Sequence, residues 1–285
     1  MQPNRHSLGR YMSVIAFLSA LSLFSGIQCL AGERFEIKKD MRLSTRLISV
    51  KISFDKGREE WAQRNLKEAE VYLKALEHYL NQTYGFRREA GFSISGEDRV
   101  YDGTKWLGGT TDMETVRLEY RLTPAGNPAL LYHELGHFWF LGAPEESQWI
   151  IEGIVSFLPI AMNDDGYLAD EYCPEKKIYE YWGFNMKLPS DDPPIINDFR
   201  DQSDRFGLFY VKSFTVQHII YREIGKESYR RLVNAVLDHD SCVDNGEMLD
   251  LLSGYKSMDW KSVLTGWVFP GKYTKYPPAG FKKPW

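Results

Sequence analysis

Residues 130–140 read LLYHELGHFWF, two histidines and a glutamate set in an otherwise apolar run. Burying three such side chains without partners is costly, so no other stretch limits the possible folds as much. It has to form a core helix whose polar groups share a partner. On a helix, residues four apart lie on one face, one turn above the other. His133 and His137 can therefore grip a single metal ion from the same side. Glu134 stands beside them, placed to take a proton from a water on that metal. With six histidines in 285 residues, the H-E-x-x-H spacing would arise by chance in about one such chain per hundred.

A catalytic zinc takes three protein ligands and keeps one position open. Neither His218 nor His239 has the close spacing of a third histidine ligand. Glu152 lies 15 residues after His137, in the segment QWIIEGIVSFL. A second helix folding back on the first would aim it at the metal. Its neighbours Ile150, Ile151, Ile154 and Val155 argue for a buried, paired carboxylate.

The rest of the chain reads as mixed strand and helix. Ile48, Val50, Ile52 and Phe54 alternate with polar residues, the pattern of a half-buried strand. Ala62, Leu66, Ala69, Leu73, Leu76 and Leu80 form the apolar stripe of one long helix, with His78 off the stripe. Phe92 and Ile94 suggest a short strand, and the alternation of Val116, Leu118, Tyr120 and Leu122 another. Asn127-Pro128 signals a helix start, with that helix running to Gly142 and a second from about Glu145 to Leu158, ending near Pro159. Residues 162–206, rich in Asp, Asn, Pro and Gly, read as loops with short helices, and helical spacing returns from Phe209 onward. His239 reads as a loop residue, and the acidic stretch Asp191-Asp192 and Asp198–Asp204 as solvated turns. Asn81-Gln82-Thr83 matches a glycosylation acceptor, meaningful only in a eukaryotic secretory pathway.

Arg5 and Arg10 precede 22 uncharged residues, Tyr11–Gly32, with the apolar stretch VIAFLSALSLF inside them. This is the layout of a secretory signal peptide over residues 1–32, with Ala31 ending the cleavage site. The alternative is an uncleaved membrane anchor over residues 11–32. Either address is extracytoplasmic, secreted or periplasmic, so a disulfide between Cys173 and Cys242 is an open alternative to two buried thiols. Residues 33–285 remain for the folded part. A net charge of −4 gives no basic surplus for nucleic acid.

HELGHFWF followed by WIIEGIVSF resembles the gluzincin metallopeptidases, in particular the M1 aminopeptidase-like group and its shorter MA-like relatives. The resemblance spans about residues 110–270. It implies an α+β, thermolysin-like catalytic domain with a strand-bearing upper lobe (about 33–142) and a helical lower lobe (about 143–285). It implies His133, His137 and Glu152 as ligands of one Zn²⁺ and Glu134 as general base. Phe209-Tyr210-Val211-Lys212-Ser213 resembles a family segment whose tyrosine, here Tyr210, hydrogen-bonds the tetrahedral oxyanion.

Three departures bear on specificity. The stretch between His137 and Glu152 is shorter than in the aminopeptidases, and Ser213 stands where the family has Gly. The G-x-M-E-N motif that holds a substrate's free amine is not intact, which leaves Glu114 a weak candidate for that role. The expectation is a zinc peptidase acting on peptide or protein substrates. The alternatives are an aminopeptidase rather than an endopeptidase, a zinc hydrolase of non-peptide amides, and a catalytically silent binding or assembly protein.

Overall fold

In the computed structural model the described residues are 33–44, 47–81, 91–100, 108–112, 114–140, 147–182, 206–239, 243–255 and 258–267. The first strands are β1 (Arg34–Arg42) and β2 (Leu47–Asp55), followed by helix α1 (Glu59–Leu80). Strands β3 (Gly91–Glu97), β4 (Gly109–Thr111) and β5 (Thr115–Glu119) complete one sheet in the order β1-β2-β3-β5-β4. β2, β3 and β5 run parallel, and the two outer strands β1 and β4 pair antiparallel with their neighbours. A parallel neighbour needs a crossover, and α1 supplies it between β2 and β3.

The local chemistry explains these elements. In β2, Ile48, Val50, Ile52 and Phe54 are all buried. In α1 the six stripe residues are buried and His78 is exposed, as the spacing predicts. The stripe is wider than those six residues, because Tyr72 and Tyr79 are also buried. Tyr72 stacks on Tyr132 at 4.2 Å between ring centroids, which docks α1 on the H-E-x-x-H helix.

Seven more helices follow: α2 (Ala129–Gly136), α3 (Gln148–Asp164), α4 (Glu175–Tyr181), α5 (Phe206–Ile224), α6 (Lys226–Asp238), α7 (Asn245–Ser253) and α8 (Trp260–Trp267). The helix starts one residue later than read: Pro128 is the N-cap of α2, its carbonyl accepting from the Tyr132 amide, and Asn127 just before it accepts from the Ala129 amide through Oδ1 at 3.2 Å. One continuous hydrophobic core runs from Met41 in β1 to Leu264 in α8.

Four expectations are revised. Helix α2 ends at Gly136 rather than Gly142, with His137–Phe140 forming a turn whose amides bond Leu135 and Gly136. α3 passes through Pro159 to Asp164. Proline removes one helical hydrogen bond, but Ile160, Ala161 and Met162 beyond it are buried, and their packing outweighs that loss. The strand read to Leu122 gives way to a 3₁₀ turn after Glu119. Neither β1 nor β4 is foreseen: of the alternating Phe35, Ile37 and Met41 in β1 only Met41 is buried, and β4 is three residues long. Cys173 is a buried free thiol that donates to the Pro159 carbonyl at 3.3 Å. Cys242, residues 1–32, Gln82-Thr83 and the acidic stretch 191–204 lie outside the described residues. No helix among those described is long and apolar enough to cross a membrane.

Candidate metal centre

Two close helix contacts build the site. Gly136, between the two histidines' turns, lets α3 approach: a Cβ there would lie 2.9 Å from Val155 Cβ. Gly153 does the same for α5, since a Cβ there would lie 2.6 Å from the Ser213 carbonyl oxygen. The first contact brings Glu152 to the histidines, and the second brings α5 with Tyr210 to the same place.

The metal-ligand atoms of His133, His137 and Glu152 all lie within 4.8 Å of one another. His133 Nε2 and Glu152 Oε2 are 3.1 Å apart, His137 Nε2 and Glu152 Oε2 3.5 Å, and the two Nε2 atoms 3.2 Å. The other ring nitrogens fix the tautomers. His137 Nδ1 faces the Phe140 carbonyl at 3.2 Å, and a carbonyl only accepts, so Nδ1 carries the proton. Ser156 Oγ donates to the Glu152 carbonyl at 2.7 Å, which spends its one proton. His133 Nδ1, 2.9 Å from that oxygen, therefore donates to it.

Both Nε2 atoms then present lone pairs toward a carboxylate oxygen that itself has no hydrogen-bond partner. With both rings neutral, three acceptors converge on one largely buried point, and a cation, a proton or a metal ion, is what such a set binds. Donors of a tetrahedral zinc stand about 3.3 Å apart, which the three separations bracket. The residues present fit zinc.

The electrostatics agree. Burial opposes the charge on Glu152, but the imidazoles of His137 and His133 outweigh it and hold the carboxyl far below its ordinary range. Burial likewise opposes charge on His137, and the Glu152 carboxylate more than offsets this, raising it to about 9 when no metal is present. A proton on His137 is thus the stand-in for the cation.

Glu134 is buried, and that burial raises its carboxyl above the usual value against the pull of both imidazoles and of Thr111. Thr111, in edge strand β4, donates to Glu134 Oε2 at 2.5 Å. Tyr210 borders the site too: its ring centroid is 5.8 Å from that of His133, and it stacks on Trp182 at 6.0 Å. Burial pushes its phenol well above the ordinary value, so it is a proton-bearing donor.

All five residues singled out in the sequence therefore meet in one place. Glu114 is exposed in the turn between β4 and β5. His218 is buried against Tyr179 and His239 exposed, so neither joins the triad. Sequence reasoning missed Ser156, Thr111 and Trp182. Ser156 was within reach, as a lone hydroxyl one turn after Glu152 in an apolar helix. Thr111 and Trp182 arrive from elements distant in sequence and carry no local signal.

No protein-family model and no curated protein sequence matches the chain. Solved structures do. A two-domain M1 zinc metallopeptidase bound to L-arginine superposes with a TM-score of 0.59 at 14% identity, over 85% of this chain and 53% of that one. The M1 zinc metallopeptidase from Deinococcus radiodurans gives 0.58 at 12% identity, over 88% and 55%. An aminopeptidase N family protein from Idiomarina loihiensis gives 0.60 at 10%, over 84% and 48%. The chain spans about half the length of these structures. The class defined is a gluzincin-type, M1 aminopeptidase-like fold. Within it, this chain has a His-His-Glu cluster suited to zinc.

Proposed function

We propose that residues 33–285 are the thermolysin-like catalytic domain of an extracytoplasmic zinc peptidase, divided into lobes near residue 142. The observation that carries this reading is the convergence of three lone-pair donors, His133 Nε2 and Glu152 Oε2, both buried, and the partly buried His137 Nε2, beside a second buried acid, Glu134. Likeness to M1 metallopeptidases supports it, among them a Deinococcus radiodurans enzyme solved with a Tyr-Ser-Ala substrate.

His133, His137 and Glu152 would hold one zinc ion. Bound there, zinc polarises a peptide carbonyl and makes water acidic enough for a carboxylate to deprotonate. Glu134 takes the proton of the attacking water and passes it to the leaving amine. Its raised affinity for protons suits both halves of that transfer. Tyr210 donates its hydroxyl proton to the charge developing on the carbonyl oxygen. Ser156 and the Phe140 carbonyl keep both imidazoles in the tautomer that offers Nε2.

The partner is a peptide or protein, with no call for nucleic acid, and the segment 1–32 directs export. Endopeptidase action is favoured because the G-x-M-E-N motif that holds a free amine is not intact in this chain.

The test is peptide-library cleavage by residues 33–285 read by mass spectrometry, with zinc-loaded Glu134→Gln alongside. Internal cuts that fall about 100-fold or more in the variant, at unchanged zinc content, are the expected result. Equal cutting by both proteins would sink the mechanism. Release of single N-terminal residues would establish an aminopeptidase instead. No cleavage by either, with zinc bound, would favour the silent binding protein.

A further inference from the structure

The strand that edges the sheet does more than close it. β4 presents Gly109 and Thr111, two residues apart and so on one face, to the side chain of Glu134. Thr111 Oγ1 lies 2.5 Å from Glu134 Oε2 and 3.0 Å from the Glu134 carbonyl oxygen. A hydroxyl has one proton, and the ionised carboxylate is the stronger acceptor. Glu134 Oε1 rests over Gly109, where an added Cβ would come within 2.6 Å of it. One carboxylate oxygen is tied, and the other occupies space that only glycine leaves.

β4 is itself fixed. It pairs antiparallel with β5, Gly109 opposite Leu118 and Thr111 opposite Val116, and the Glu119 amide donates to the Gly108 carbonyl at 2.8 Å. Leu118 and Val116 are fully buried. The clamp on Glu134 is thus anchored in the core, on an element that contributes no metal ligand.

We propose that Thr111, with Gly109 beside it, is a positioning residue for Glu134: it sets the direction of the carboxylate toward the reacting water before substrate arrives. This rests on the peptidase reading above. A buried glutamate has three rotatable bonds, and without this hydroxyl nothing else among the described contacts would hold its carboxylate plane. A base held in its working orientation has no reorganisation left to undergo in the transition state, and small misplacements of such groups are costly.

The experiment compares Thr111→Val, which keeps the shape and loses the proton, with Thr111→Ser, which keeps the proton. Two readouts are taken on zinc-loaded protein: crystal structures of both variants, and cleavage of an internally quenched peptide library. Thr111→Val should show the Glu134 carboxylate turned away from β4 or split between rotamers. Its kcat should fall about ten- to a hundredfold while KM stays within about twofold, at full zinc content. Thr111→Ser should restore both the orientation and most of the kcat. Gly109→Ala should displace the same carboxylate with Thr111 intact. An unmoved carboxylate in Thr111→Val overturns the proposal, as does a kcat equal to wild type. If wild type cleaves nothing yet the carboxylate swings free in Thr111→Val and not in Thr111→Ser, the peptidase reading fails and the clamp stands.

Discussion

At the scale of single residues, the proposed metal centre depends on side chains that are not among its three candidate ligands. Ser156 is fully committed: its proton goes to the Glu152 carbonyl and its lone pair receives His133 Nδ1–H. Ser156→Ala would leave that N–H buried without an acceptor and free the ring to turn. Partners of this kind are worth about ten- to a hundredfold in metal affinity. Competition with a chromophoric chelator should show a zinc Kd raised by that factor in Ser156→Ala, while Glu152→Gln should lose stoichiometric zinc altogether. The ligands were legible in the sequence because H-E-x-x-H and the isolated Glu152 are polar exceptions in apolar helices. Tyr210 was legible only through family resemblance. Thr111 was not legible at all, because a threonine in a three-residue strand looks like any other.

At the scale of elements, the site is an arrangement of helix crossings made possible by missing side chains. An alanine in a solvent-facing helix is up to about 1 kcal/mol better than glycine. At position 153 the sign reverses, because the new methyl would meet the Ser213 backbone oxygen at 2.6 Å and α5 would have to move. Gly153→Ala should therefore cost about 1–3 kcal/mol, measured as a lower urea midpoint at unchanged slope. It should also reduce turnover, since Tyr210 rides on α5. Gly136→Ala meets the side chain of Val155 rather than backbone, and should cost less. Elements with a buried face, such as β2 and α1, declare themselves by period. β1, RFEIKKDMR, buries only Met41, and β4 is three residues long. Their pairing is decided by partners far along the chain, which single-sequence patterns do not record. α3 ran past Pro159 for a related reason: local preference predicts a stop, and burial on every side continues the helix.

At the scale of the whole molecule, a buried histidine outside the centre makes stability depend on pH. Burial, with the Arg222 cation nearby, lowers His218 to about 4. An unfolded chain would protonate it near pH 6.5, so between those values the unfolded state binds more protons. The resulting stabilisation is complete above about pH 6.5 and is lost as pH falls toward 4. Urea unfolding at pH 7.5 and pH 5 should show wild type losing about 2 kcal/mol more than His218→Gln. Equal losses would mean that His218 is already charged in the folded state.

The three proposed metal donors come from α2, the turn that ends it and α3, 19 residues apart at their extremes, and none from the sheet. An ion there is a rivet between α2 and α3. Stripping it with a chelator would not melt the molecule. Amide hydrogen exchange should quicken along α2 and the first half of α3, while β2 and β3, buried in the shared core away from the ligands, keep their protection. The zinc would then set the rigidity of its own ligand helices, and the protein would survive its loss as a folded scaffold ready to take the ion back.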